Sequence, residues 1–303
     1  MLTNRHWTRL TALLSGLMAG LGPMIAGGHE FWVEPANFAP EHGGPVAVRL
    51  CIGNGLEGWS MARNSQRIEK FVAAGPSGEQ PVVGMHGADP AGIVRLATPG
   101  GYVIAYRSNR AFTKSRPAEF AAYLKEKGLE NIIALQGAQK AGDGMVREAY
   151  SRHSKVLLRM GAAPDAVVDR AMGLGLELVA EPGLLRARAT NDPRSFLLLY
   201  QGKPLAGALL IASRPGTDVD ELHARTDADG RARFRFGAAG MWRIASVHMI
   251  GKSSGVDADW ESLWTSLTFE MPSGTDPGRQ AAAVADRKPC RNRVAATAVQ
   301  LRR

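Results

Sequence analysis

PGGYVIAYRS, residues 99–108, decides the fold class. Pro99, Gly100 and Gly101 mark a turn, and Tyr102, Ile104 and Tyr106 then recur at every second position. A period of two lines one face of a β-strand, because successive side chains point to opposite sides of the backbone. Similar short apolar runs, broken by Gly and Pro, lie upstream: PVAVRLCIG (45–53), FVAAGP (71–76) and QPVVGM (80–85). The pattern returns downstream in LELVAEP (176–182), YQGKPLAGALLI (200–211), RARFRF (231–236), GMWRIASVHM (240–249) and SLWTSLTFEMP (262–272). Gly202, Lys203 and Pro204 sit at one bend, and TDADG (226–230) reads as a hairpin turn.

The segment between these β regions has a different character. PAEFAAYLKEKGLENIIALQ (117–136) places Phe120, Tyr123, Leu124, Ile132, Ile133 and Leu135 at helical spacings. Pro117 suits a first-turn position and Gly128 interrupts the run. MVREAYSRHSKVLLRMG (145–161) reads as a second helix ended by Gly161. The expected organisation is therefore mainly β, with two sandwiches of the immunoglobulin or prealbumin kind and a helical insertion between them. Residues 29–110 form the first sandwich, 111–175 the insertion and 176–271 the second sandwich.

Both ends read differently from the body. Residues 1–28 have the form of a secretory leader: Arg5, His6 and Arg9, then the short apolar run Leu10–Leu21, then Pro23 and the small residues Ala26, Gly27 and Gly28. Cleavage after Ala26 or after Gly28 leaves a periplasmic protein that begins at or next to His29. Residues 272–303 are rich in Gly, Pro, Ala and Arg and lack aromatic residues, which predicts a disordered basic tail. The net charge of +9 arises mostly from these ends, since 272–303 hold seven basic groups against two acidic ones. A nearly neutral body excludes the clustered Lys and Arg face of a nucleic-acid-binding protein. Two cysteines are too few for a disulfide-stapled miniprotein or a multi-cysteine zinc module. Cys51 falls in a strand and Cys290 in the tail, and their spacing gives no reason to pair them.

The chemistry centres on His29. A free α-amine loses its proton near pH 8 and then ligates metals. Cleavage after Gly28 would let the amine and Nδ1 of His29 close a chelate ring on one ion. Cleavage after Ala26 would instead leave Gly-Gly-His, whose nitrogens suit square-planar copper(II) or nickel(II). His248, at the end of the strand SVHM, is the second expected ligand, with Met249 pointing to the other face. Asp257 and Asp259 in VDADW are further oxygen donors or hydrogen-bond partners for an imidazole. His42, His86, His153 and His223 read as surface groups, and Trp32, Trp242, Trp260 and Trp264 as packing residues. No H-E-x-x-H or P-loop pattern occurs, and nothing arranges Ser, His and Asp as a triad.

HEFWVEPANFAPEHGGPVAVRLCIGNG (29–55), YSRHSKVLLRMG (150–161), LLYQGKPLAGALLI (198–211), RTDADGRARF (225–234), GMWRIASVHM (240–249) and DADWESLWTSLTFE (257–270) together resemble a secreted bacterial family. That family of unknown function is labelled the periplasmic component of an ABC-type cobalt/nickel transport system, or NikM-like. The resemblance implies a mature chain that starts at the His of HEFW, with His29 and His248 as metal ligands. It also implies nickel or cobalt as the ion, beside the copper that the nitrogen donors admit, and an ABC- or ECF-type metal permease as the partner. Two glycines stand here where the family has an alanine before the His. The expectation is thus a non-enzymatic metal-binding protein of an uptake system. A structural or adhesive β-sandwich module is the alternative, and a copper-dependent oxidase a remoter one.

Overall fold

The computed structural model describes residues 29–54, 57–136, 144–161, 166–186, 192–214, 221–272 and 290. The leader at 1–28 lies outside these residues, as does the basic tail apart from residues 272 and 290.

The described residues are mainly β. The N-terminal strands are β1 (Glu30–Pro35), β2 (Gly44–Asn54), β3 (Glu57–Met61), β4 (Ile68–Gly75), β5 (Gly78–Pro81), β6 (Gly92–Leu96), β7 (Gly100–Ser108) and β8 (Ala111–Ser115). Two short helices follow, α1 (Pro117–Glu126) and α2 (Glu130–Gln136), and then the long strand β9 (Val146–Met160). The C-terminal strands are β10 (Leu176–Ala180), β11 (Pro193–Tyr200), β12 (Lys203–Pro204), β13 (Leu209–Ser213), β14 (Leu222–Arg225), β15 (Arg231–Arg235), β16 (Gly240–Gly251) and β17 (Trp260–Met271).

These strands make three sheets. A nine-stranded sheet runs β14-β13-β16-β17-β9-β7-β4-β5, with β8 also paired to β9. Four-stranded sheets form from β1, β2, β3 and β6, and from β10, β11, β12 and β15. The two expected sandwiches therefore share one central sheet. The join is the parallel pairing of β17 with β9, in register from Trp260 opposite Glu148 to Thr268 opposite Val156.

Strand parity decides which layer each side chain enters. On β9, Val156, Leu158 and Met160 pack with Phe31, Val33 and Val48 of the first small sheet. Leu157, from the other parity, packs with Leu178, Phe196 and Phe269 against the second. The segment 145–161, expected to be helical, is thus a strand at the centre of the sheet. Both of its faces are covered, so neither parity faces water and the period of two disappears from the sequence.

The helical reading of 117–136 holds with one division. Pro117 opens α1 at a position that needs no backbone N–H donor. Phe120, Tyr123 and Leu124 face Val247, Met249 and Trp260. Gly128, at φ 66°, takes the left-handed conformation that separates α1 from α2. TDADG is a turn held by Asp227 Oδ1, which accepts from the amides of Asp229 and Arg231. It does not close a hairpin, because β14 pairs with β13 in the central sheet and β15 with β11 in a small one. The bend at Gly202 does close one, pairing Tyr200 with Lys203.

Candidate functional site

His29 leads directly into β1, whose six residues are all buried. The strand is held from several sides. The Val33 amide donates to Ser154 Oγ at 3.1 Å, and Ser154 Oγ lies 2.7 Å from Ser266 Oγ. The Arg243 guanidinium lies 4.9 Å from the Trp32 ring. Lys127 Nζ, at the end of α1, donates to Glu30 Oε1 at 2.7 Å. Burial pushes the Glu30 carboxyl up, but Lys127, Arg243 and Arg152 together outweigh it and keep the group below its ordinary range. Arg152 lies buried 4.5 Å from the Trp264 ring and 5.2 Å from Tyr150. Burial, and then the charge of Arg152, lower the pKa of the half-buried His29, which favours the neutral imidazole.

His248 lies on the other side of the central sheet. On β16, Trp242 and Ile244 face the core shared with β10 and β11, and His248 shares their parity. Its ring sits 4.4 Å from that of Tyr200 on β11. Arg243, Val247 and Met249 have the opposite parity and face β1 and α1. The structure therefore places His29 and His248 on opposite faces of one sheet and does not bring them together. Strand alternation relates His248 to Met249, but it does not say which of them faces the layer that contains residue 29.

The two aspartates are committed elsewhere. Asp257 Oδ1 accepts from Arg147 Nη1 at 2.8 Å. Asp259 accepts from the Arg147 amide at 2.8 Å and from its Nη2 at 3.0 Å. They clamp the start of β9. Among the described residues, Glu34, Cys51 and Cys290 do lie within reach of a single ion, but the two sulfurs are joined in a disulfide. In that state they are not thiolate ligands.

One histidine read from sequence as a surface group belongs inside. His153 is only 3% exposed, and its Nε2 lies 2.9 Å from Ser151 Oγ. The side chain fits because residue 175 is glycine, where a Cβ would come within 3.0 Å of His153 Cε1. Burial, and then Arg107, lower its pKa from the usual 6.5 to about 4. Among the described residues, His153 Nδ1 has no hydrogen-bond partner and no carboxylate orients the ring, so the pair with Ser151 lacks the third member of a nucleophile triad there. The pair lines a cavity of about 280 Å³ between β9, β17 and the β10–β11 sheet.

The buried histidine predicts acid lability. The unfolded chain binds a proton near pH 6.5, whereas the folded protein resists it until about pH 4. Stability present above pH 6.5 is lost as pH falls toward 4, by up to about 3 kcal/mol, and is not lost further below that. Urea unfolding followed from pH 7.5 to pH 4 measures this slope. His153→Gln should flatten it, and an unchanged slope would show that other groups carry it.

The model of the family described as Domain of unknown function (DUF4198) matches residues 26–250, more than half of the 303-residue chain. The chain belongs to that family. No curated protein matches it. Among solved structures, the D0-D1 domain of Intimin aligns over 79% of this chain and 97% of its own, at 10% identity and a TM-score of 0.19. Among the described residues, no helix is long and apolar enough to cross a membrane.

Proposed function

We propose that this DUF4198 protein is an extracytoplasmic metal-binding protein that grips nickel, cobalt or copper through His29 alone. The imidazole supplies one donor and, once the leader is removed, the α-amine of the same residue supplies another. The observation that supports this reading is the anchoring of β1. Six consecutive buried residues follow His29, tied to the central sheet at Val33 and to α1 through Glu30 and Lys127. A chain end beginning there is held in one place, which lowers the entropic cost of closing a chelate. Glu30 is engaged by Lys127 and His248 faces the other layer. The donor set from His29 is therefore two nitrogens, with the other coordination positions left to a partner. Such a two-donor grip suits transfer to a metal permease better than storage.

An extracytoplasmic location is supported by the Cys51–Cys290 disulfide, since such bonds persist mainly in oxidising compartments. The protein acts here as a carrier and not as an enzyme.

The test is a metal titration of the secreted protein after mass spectrometry has fixed its N-terminus. His29→Ala should weaken nickel, cobalt or copper binding on the order of 100-fold or more, because a direct ligand contributes at least as much as groups that only orient ligands. His248→Ala should leave binding unchanged. Equal losses from both variants, or no loss from His29→Ala, would refute the single-residue grip.

A further inference from the structure

The cavity beside His153 lies on the face of the central sheet away from β1, and it stands independently of the metal reading. Its volume of about 280 Å³ falls just under the range of pockets that hold drug-sized ligands, so it suits a molecule of amino-acid size. Two charge pairs line it. Arg107 Nε lies 2.8 Å from Glu69 Oε2, and Arg110 Nε lies 2.6 Å from Glu261 Oε1. Ile250 and Leu263 add apolar surface, and Ser151 and His153 add neutral polar groups.

One feature marks this as a built site and not a packing gap. His153 Nδ1 is buried without a hydrogen-bond partner, an arrangement that native proteins seldom leave without a reason. Gln201, also in the lining, takes φ 49° as the first residue of the two-residue turn that pairs Tyr200 with Lys203, a turn that needs positive φ at both central residues. Gln201 is fixed there by its amide, which donates to Gly175 O at 2.8 Å, and by its Nε2, which donates to Tyr200 Oη at 3.2 Å.

The charges select the ligand class. Two guanidinium groups and two carboxylates give no net preference for an anion or for a cation. A dipolar molecule satisfies both, its carboxylate against the arginine forks and its ammonium against Glu261 and Glu69. We propose that this cavity binds a small zwitterion, a free α-amino acid or a compound of the same charge pattern, with its side chain against Ile250 and Leu263.

Calorimetry of the secreted full chain with each of the common amino acids tests this, with acetate and ethylammonium as single-charge probes and EDTA present throughout. At least one amino acid should bind, and both single-charge probes should bind at least about tenfold more weakly. Arg110→Gln and Glu261→Gln should each weaken amino-acid binding about tenfold, as expected for losing a hydrogen bond to a charged group. Circular dichroism identifies any variant that fails to fold. Tyr200→Phe, which keeps the ring against His248, gives a second and milder probe of the rim. No binding by any amino acid at about 1 mM, equal binding of a single-charge probe, or full affinity in both folded charge variants would overturn the assignment. His29→Ala should bind the amino acid normally, so failure here is distinct from failure of the metal proposal.

Discussion

Lys155→Met is expected to lower the unfolding free energy by about 3 to 5 kcal/mol. Lys155 on β9 and Glu177 on β10 are both almost wholly buried, with Nζ 2.8 Å from Oε1. The carboxylate also accepts from the amides of Met172 at 2.5 Å and Leu174 at 3.0 Å. Lys155 Nζ makes a further bond to Arg170 O at 3.2 Å. One ion pair thus holds the segment entering β10 against the central sheet. Methionine keeps most of the apolar stem but leaves a buried carboxylate with no cation, and that uncompensated charge is what makes breaking a buried pair costly. Glu177→Gln should cost less, because its amide oxygen still accepts from one backbone N–H. The double variant Lys155→Met/Glu177→Gln should be more stable than the sum of the single losses implies, with a coupling of about 1 to 3 kcal/mol. Urea unfolding of the four proteins at pH 7 measures it. Strict additivity, or a loss below about 1 kcal/mol for Lys155→Met, would mean that the pair behaves like a solvated surface bridge.

The same pair shows where the sequence is opaque. Lys155 sits in SRHSKVLLRM, whose mixture of polar and apolar residues fits no strand template and reads as part of a helix. Strand β9 is covered on both faces, so Arg152, Ser154 and Val156 enter one layer while His153, Lys155 and Leu157 enter the other. Its polar residues are buried by pairing, and pairing across layers leaves no mark on periodicity. β7 is covered on both faces too, but its buried residues are nearly all apolar or aromatic and its pattern reads correctly. Tyr102, Ile104 and Tyr106 do share one face of β7, and Pro117 with Phe120, Tyr123 and Leu124 does open a helix.

The candidate site divides along the same line. The sequence shows no clear sign that a buried strand follows His29, because HEFWVEP sets Glu30 and Glu34 among Phe31, Trp32 and Val33. It cannot indicate the layer in which that strand lies. The pairing of His29 with His248 depended on that layer, and so did the surface reading of His153. The arrangement of β1 across the central sheet is set by contacts over a hundred residues apart, such as that of Val33 with Ser154. The sequence signal that was available is Gly175, since a glycine next to a buried strand often marks a close approach. Here the close approach is to the ring of His153.

Reduction of the Cys51–Cys290 disulfide is expected to destabilise the protein by about 3 to 5 kcal/mol, through loss of a cross-link spanning 239 residues. The closed loop contains every strand from β3 to β17, so a constraint on the unfolded chain touches all three sheets. In the folded state the bond lies beside the Trp32 ring and the Glu34 carboxylate, which accepts from Trp32 Nε1 at 2.9 Å. Gly58 makes the room: a Cβ there would come within 2.2 Å of the Trp32 ring and 3.5 Å of Cys290 Cβ. Packing and cross-linking are separable by variant. Cys290→Ala should match the loss produced by dithiothreitol in the wild-type protein, and dithiothreitol should then have no further effect on Cys290→Ala. If the variant loses much more than reduction does, the Cys290 side chain stabilises mainly by filling the space beside Trp32. If neither treatment shifts the urea midpoint, the bond does not constrain the unfolded chain, and the support it lends to an oxidising compartment falls with it.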